Sequence, residues 1–232
     1  MGGFSMGTRK ESILNITEIF TGIQGEGLHQ GVPSHFIRLF GCNLRCDFCD
    51  SQYSWKEKIP IRKEDLGGII DALFLRHEYV NNVVITGGEP LLQNLKYLQK
   101  LIAERGWSLE IETNGLGKFY KHINPEDVLF NVSPKIHTEQ YRSKYTSKII
   151  NKYLHYNSIF KFVTADSEDF SSVLDFCQRF KIPNNSVWIL PKGITAKGIV
   201  RSSRKVSDLC IKYGFNLSDR QHIIVWGNRR GV

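Results

Sequence analysis

Asn82-Val-Val-Ile-Thr-Gly-Gly-Glu-Pro90, followed by Leu91-Leu-Gln-Asn-Leu-Lys-Tyr-Leu-Gln-Lys-Leu-Ile-Ala-Glu-Arg105, decides the fold. The first half is a short β-branched run ending in two glycines, the pattern of a buried strand. The second half carries apolar residues at 91, 92, 95, 98, 101 and 102, which is helical spacing, and Gly106 supplies a stop. The same alternation continues toward the C-terminus. Ser108-Leu-Glu-Ile-Glu-Thr113, Asp127–Ser133, Ser158–Thr164 and Val187–Leu190 read as strands. A helix capped by Asp166-Ser167 carries apolar positions 170, 173, 174, 176, 177 and 180, and another covers 200–213, stopped by Gly214. Gln221–Trp226 reads as a last strand. Upstream, Ser34-His-Phe-Ile-Arg-Leu-Phe40 reads as a strand and 64–79 as a helix. Strands alternating with helices of this length predict βαβ units, a mainly parallel sheet and an α/β fold.

The chain has 232 residues, 41% hydrophobic and 23% charged, which suits a globular domain and excludes a disordered or fibrous chain. It contains no apolar run of the roughly 18 residues a membrane helix needs. Met1–Lys10 is Gly- and Ser-rich without an apolar segment, so it is not expected to be a secretory signal. The expectation is a loose N-terminal arm over 1–13, one domain over 14–232 and a cytoplasmic location. Lys+Arg 31 against Asp+Glu 23 gives a net charge of +8. The basic residues are dispersed, so they serve either as a solvated surface or to attract an anion.

Ligands of parallel sheets bind at the carboxyl ends of strands. The unusual residues fall there: cysteines after Phe40, Gly87-Gly-Glu-Pro90, Glu112-Thr-Asn-Gly115 and Ser133-Pro-Lys135. Five cysteines, an odd number, argue against a disulfide framework. Cys42, Cys46 and Cys49 crowd one loop, and three thiolates select a soft metal. An iron–sulfur cubane held by three cysteines leaves one iron open to a further ligand. The alternatives are a zinc knuckle borrowing His29 or His35, or free thiols. Phe48, between the last two cysteines, either covers such a cluster, stacks on an adenine or anchors the core. Cys177 and Cys210 fall on apolar helix faces and read as core.

Cys-x3-Cys-x-aromatic-Cys after the first strand and Gly-Gly-Glu-Pro after the second resemble the radical S-adenosylmethionine (SAM) superfamily. Glu18–Gly27, Phe36-Ile-Arg38, Gly41–Cys46, Cys49-Asp50, Thr86–Pro90, Glu112–Gly115, Ser133–Lys135 and Gln221–Val232 resemble, more narrowly, the 7-carboxy-7-deazaguanine synthase family. The resemblance runs from about Leu14 onward. It implies an incomplete (β/α) barrel and a [4Fe-4S] cluster on Cys42, Cys46 and Cys49, whose fourth iron is chelated by SAM. The implied reaction turns 6-carboxy-5,6,7,8-tetrahydropterin into 7-carboxy-7-deazaguanine with loss of ammonia, a step toward queuosine. SAM is regenerated and Mg2+ assists. A homodimer, a flavodoxin-like electron donor and no direct contact with nucleic acid or membrane are also implied.

Carried over residue by residue, Phe48, Asp50, Gly88, Glu89, Glu112, Asn114, Ser133 and Lys135 are expected at SAM. Glu89 is either an acceptor for the SAM ammonium or a structural member of its turn. Asp50 alternatively holds substrate or the metal's water, or forms a turn. Ile23, Gln24, Gly25, Glu26, Arg38, Thr86, His222 and the Val232 carboxylate are expected at substrate. Amides and carboxylates pair with the guanidine-like pterin edge, and a planar Arg38 fork suits a carboxylate. Arg38 is otherwise an edge-strand charge and His222 a structural residue. Ser51 stands where the family commonly has Thr, and its hydroxyl remains a hard ligand for Mg2+. The alternatives are another radical SAM enzyme, such as a glycyl-radical activase, or a zinc-binding RNA-interaction module. The activase leaves Gln24, Glu26, Arg38 and the C-terminal motif without a role.

Overall fold

Strand-forming stretches of alternating character line up as nine strands in one sheet. The computed structural model describes residues 13–47, 49–117, 123–227 and 229–231. Among them the strands are β1 (Ile13–Ile23), β2 (Pro33–Leu39), β3 (Ile59–Arg62), β4 (Asn82–Gly87), β5 (Ser108–Thr113), β6 (Leu129–Val132), β7 (Ser158–Thr164), β8 (Val187–Pro191) and β9 (Asn216–Leu217). Their spatial order is β3-β1-β2-β4-β5-β6-β7-β8-β9. From β2 to β9 every neighbour is parallel, while β1 runs antiparallel to β2 and β3. The order is linear, with β3 and β9 at free edges, so the sheet does not close, in line with the incomplete barrel that the resemblance implies.

The helices are α1 (Lys63–Arg76), α2 (Lys96–Glu104), α3 (Glu139–Arg142), α4 (Ser147–Leu154), α5 (Ser167–Phe180), α6 (Ala196–Tyr213) and α7 (Gln221–Trp226). Their caps follow local chemistry. The Asp166 carboxylate accepts from the amides of Glu168 (3.1 Å) and Asp169 (3.2 Å) to start α5. Thr195 Oγ1 accepts from Gly198 N at 3.1 Å, which starts α6 four residues before the predicted position. Gly214 ends that helix at φ 67°, as predicted. The helix predicted from Leu91 instead opens with a 3-10 turn over Pro90–Leu92, and α2 begins at Lys96. The reason is Gln93. Its side-chain amide donates to Asn15 O (2.8 Å) and Phe40 O (3.1 Å) and accepts from Asn15 N (2.8 Å), stitching the turn to β1 and the end of β2.

One prediction is corrected. Gln221–Trp226 is helix α7, not a strand. A short apolar run does not distinguish the two by periodicity. Here Gln221 N donates to Gly25 O at 2.9 Å, Ile223 alone is buried, and Gly227 ends the turn at φ 67°. The last strand is the two-residue β9. β1 and β3 lie outside the set of strands that the sequence indicates. Ile13 already pairs with Arg62, and the rest of the expected N-terminal arm lies outside the described residues.

The two faces of the sheet differ in chemistry. Ile37, Leu39, Val83, Ile85, Leu109, Ile111, Phe130, Val132, Phe160, Phe162, Val187 and Ile189 point one way, into a continuous core under the helices. Burying each such side chain contributes about 1.5–3 kcal/mol, so this face drives folding. Alternate residues Arg38, Thr86, Glu110, Glu112, Asn131 and Lys161 point the other way, into the concave side. Gly27 approaches this inner face, where an added Cβ would lie 3.0 Å from Ile159 Cδ1 and 3.3 Å from Lys161 Cδ. No helix among the described residues is long and apolar enough to cross a membrane.

Candidate active site

The cysteine loop leaves the carboxyl end of β2. Its seat on the sheet depends on Gly88. Gly88 N donates to Leu39 O (3.1 Å) and Glu89 N to Gly41 O (2.8 Å). A Cβ at Gly88 would lie 2.0 Å from Gly41 O and 3.0 Å from Cys42 Cβ, so only glycine permits this approach. Cys42, Cys46 and Cys49 are all free thiols. Burial pushes all three thiols up in pKa, while the Lys135 charge pulls Cys46 and Cys49 back down. The same electrostatics couple the three sulfurs to one another. Leu44 N donates to Cys42 Sγ at 3.4 Å, and Asn114 Nδ2 stands 3.8 Å from the same sulfur. N–H groups aimed at sulfur beside a lysine are the surroundings that stabilise ligating thiolates. This donor set fits an iron–sulfur cluster.

A zinc knuckle fits less well. Both candidate histidines are engaged elsewhere: His29 Nδ1 with Glu110 Oε2 at 2.9 Å, and His35 Nδ1 with Thr21 Oγ1 at 2.8 Å. Among the described residues, no group of three His, Cys, Asp or Glu side chains is arranged to hold a single ion.

Several of the residues expected at SAM gather beside this loop. Asn114 Nδ2 donates to Asn43 Oδ1 at 2.8 Å, and Lys135 Nζ donates to Ser133 Oγ at 2.9 Å. Tyr145 ties them together, since its hydroxyl accepts from Lys135 N and donates to Asn114 O, both at 2.8 Å. Glu89 is held by its own turn. Its side chain is fully buried and accepts from Thr113 Oγ1 (2.7 Å), Asn114 N (2.7 Å) and Leu91 N (3.0 Å). Burial raises its pKa, and those three bonds pull it back. Glu112 points into the concave side, among residues expected at substrate.

That second group forms a chain of charges. Asp50 Oδ2 meets Arg220 Nη2 at 2.6 Å, and Arg220 Nε meets Glu26 Oε1 at 2.8 Å. Glu26 Oε2 and Glu112 Oε1 share Lys161 Nζ at 3.3 and 2.8 Å. Thr86 Oγ1 donates to Glu112 Oε2 at 2.8 Å. Burial alone would raise the pKa of Glu26 and Glu112, but Lys161, joined at Glu26 by Arg220, outweighs it and keeps both below the usual carboxylate range. The Lys161 side chain is 4% exposed and that of Arg220 11%, whereas Glu26 and Glu112 are 18% and 25% exposed. The cations are therefore sealed in and the carboxylates face the cleft. Three carboxylates against two cations leave this chain one negative charge in excess.

Gln24 is held from every side. Its Nε2 donates to Glu110 Oε1 (2.6 Å) and more distantly to Glu112 Oε1 (3.4 Å), and its Oε1 accepts from Glu26 N (3.3 Å). Its backbone donates to Val32 O and accepts from Gly31 N. It shapes the loop that follows Ile23, the last residue of β1. Asn131 Nδ2 also donates to Glu110. Gly25 lies against His222, where a Cβ would be 2.0 Å from the ring Nδ1. Burial lowers the His222 pKa, and Glu26 opposes that.

Arg38 Nε pairs with Glu18 Oε1 at 2.7 Å. Tyr53 OH donates to the same oxygen at 3.0 Å, and Arg230 Nε meets Glu18 Oε2 at 2.7 Å. Arg38 is the register partner of Thr86, so it borders the Glu112 group. A carboxylate ligand would compete with Glu18 for it. Phe48 and Val232 lie outside the described residues. The sequence did not single out Lys161, Arg220, Glu110 or Glu18. Lys161 carries a signal, being a charge in the middle of the apolar strand Ser158-Ile-Phe-Lys-Phe-Val-Thr164.

An unclosed parallel sheet with this cysteine loop at its carboxyl end defines a class: a profile of the radical SAM superfamily matches residues 36–197. Within it, a 7-carboxy-7-deazaguanine synthase of Pyrobaculum aerophilum is 31% identical over 220 residues, covering 94% of this chain and 97% of that one. One from Hyperthermus butylicus is 32% identical over 233 residues, covering 92% and 93%. The crystal structure of QueE from Escherichia coli superposes with a TM-score of 0.71 at 26% identity, covering 90% of this chain and 95% of that one. The chain belongs to the 7-carboxy-7-deazaguanine synthase family.

Proposed function

We infer that the chain converts 6-carboxy-5,6,7,8-tetrahydropterin to 7-carboxy-7-deazaguanine with loss of ammonia. The observation that carries this reading is the pair of cleft-facing carboxylates, Glu26 and Glu112, tied through Arg220 and Asp50 to the cysteine loop. A pterin edge presents N–H donors, and ionised carboxylates accept them in short charge-assisted bonds. Lys161 and Arg220 keep the acceptors ionised. His222, against Gly25, borders the same space, and Arg38 offers a fork to the substrate carboxylate in exchange for Glu18.

Cys42, Cys46 and Cys49 would hold a [4Fe-4S] cluster that, with SAM bound, supplies the radical chemistry at the substrate carbon. Gly88, Asn114, Ser133 and Lys135 would line the SAM side, with Asp50 and Phe48 flanking the last cysteine. Ser51 Oγ, which donates to Asp50 Oδ1 at 3.0 Å, would offer Mg2+ a hard oxygen. A single radical SAM domain over 14–232 and a cytoplasmic setting belong to the same reading, which the five free cysteines support. So does a homodimer, supported by exposed Leu217 on the short edge strand β9 and exposed Val225 on α7. Exposed Arg45 and Lys144 near the cysteine loop suit an acidic, flavodoxin-like electron donor.

The test is anaerobic reconstitution with iron and sulfide, reduction, and addition of SAM, Mg2+ and the pterin, with products followed by mass spectrometry. The expected result is 7-carboxy-7-deazaguanine from the wild type and none from Cys46→Ala. Formation of 5′-deoxyadenosine without that product would refute the substrate assignment. A zinc-loaded protein yielding neither would refute the radical SAM reading of the site.

A further inference from the structure

Arg220 joins three segments that are remote in sequence. Its Nε donates to Glu26 Oε1 at 2.8 Å, its Nη2 to Asp50 Oδ2 at 2.6 Å and its Nη1 to Gly193 O at 3.2 Å. Glu26 belongs to the loop after β1, Asp50 directly follows Cys49, and Gly193 lies in the turn between β8 and α6. All three donors sit on one rigid plane, so the guanidinium fixes the relative positions of its acceptors as a lysine point charge would not. The side chain is largely enclosed, at 11% exposure, so water does not substitute readily for these acceptors. Its anchor is also firm. Arg220 precedes α7, whose first amide bonds Gly25 O at 2.9 Å, and the neighbouring Ser218 Oγ accepts from Gly27 N at 2.8 Å.

We propose that Arg220 is a positioning residue that sets the cysteine loop in register with the substrate loop. The inference rests on the reaction proposed above. Glu26 and Asp50 are both anions, and without a cation between them they repel. The guanidinium turns that repulsion into a fixed spacing. Reaction between a group held at the cysteine loop and one held at Glu26 requires the reacting atoms to lie about 3–3.5 Å apart, and a misplacement of about 1 Å can cost about 100-fold. Loss of Arg220 therefore separates two events that the intact site couples. SAM is still bound and cleaved at the cysteine loop, but the pterin no longer meets it in register.

The experiment compares wild type, Arg220→Gln, Arg220→Lys, Asp50→Asn and the Arg220→Gln/Asp50→Asn double variant as reconstituted holoenzymes. It reads 5′-deoxyadenosine released per 7-carboxy-7-deazaguanine formed. Amide hydrogen exchange over residues 42–51, with and without saturating pterin, is measured on the same samples. In the wild type the ratio is expected to be low and pterin to slow exchange in the cysteine loop. Arg220→Gln is expected to raise the ratio at least about tenfold, consistent with a sub-ångström loss of register, and to abolish the effect of pterin on the loop. Arg220→Lys should fall between, and the double variant should do no more than the worse single one, because both remove one link. An unchanged ratio in Arg220→Gln, or additive effects in the double variant, overturns the proposal. Should Arg220→Gln fail to fold, Arg220→Lys and Asp50→Asn decide by the same ratio. A wild type that makes no product refutes the proposed reaction, and this inference falls with it.

Discussion

Replacing Lys161 with methionine removes a buried ammonium while keeping much of the side chain's bulk. Lys161 stands 2.8 Å from Glu112 and 3.3 Å from Glu26 and is 3% exposed. Breaking a buried ion pair from one side typically costs about 3–5 kcal/mol, because the partner is left uncompensated. For a chain of this size each kcal/mol shifts the midpoint by about 2–4 °C, so the melting temperature should drop by about 6–20 °C at pH 7.5.

The pH dependence gives a sharper test of cause. In the wild type, Glu26 and Glu112 titrate below their unfolded values. Their contribution is therefore present above the unfolded carboxyl pKa of about 4.3 and is lost as pH falls through the folded values. In Lys161→Met, Glu112 loses its ammonium, and burial and the neighbouring Glu26, which raise its pKa, outweigh the Thr86 bond that lowers it. The folded variant then binds more protons than its unfolded chain, so its stability falls as pH rises. Urea unfolding, followed by tryptophan fluorescence, should show a deficit that shrinks between pH 7.5 and pH 5. Trp188, the register partner of Lys161 on β8, is well placed to report it. A variant as stable as wild type at pH 7.5, or a deficit independent of pH, would refute the counter-ion role.

Gly88→Ala places a methyl 2.0 Å from Gly41 O, where backbone must move. Overpacking of this kind costs about 1–3 kcal/mol, and iron and sulfide bound per chain should fall with it. Full iron content in the variant would show that the loop seats without this approach. Hydrogen bonding to Glu110 raises the His29 pKa. The pair's contribution is thus complete below the unfolded histidine pKa of about 6.5 and lost as pH rises through the folded value. Glu110→Gln should flatten the fall in wild-type stability between pH 6 and pH 9. Parallel wild-type and variant curves would refute the assignment.

Strands carrying one apolar face were legible because the pleat writes burial into every second residue. β7 is read correctly to the residue, and β2 within one. The four-residue β3 escaped because its pairing is set by β1, remote in sequence, 40 to 50 residues apart between Ile13 and Arg62 or Ile16 and Ile59. α7 was misread because Ile-Ile-Val suits a strand locally, while docking on Gly25 decides for a helix. At the site, the cysteine motif and the glycines encode their role in backbone geometry and spacing, so they stood out. Lys161 and Arg220 encode theirs only through the carboxylates they meet in space. Glu89 was legible as a special residue, but its three donors appear only once the turn is folded.

The contact between Glu26 and Arg220 spans 194 positions, and that between Glu18 and Arg230 spans 212. These bonds cannot form until almost the whole chain has been made. At synthesis rates of about 5–20 residues per second, Glu26 waits about 10–40 s for its arginine. Through that interval Glu26 lacks its arginine, although Lys161, 135 positions on, emerges sooner. The ionic cleft thus closes last, as the late step of a fold whose oily face can already be packing while the ribosome is still at work.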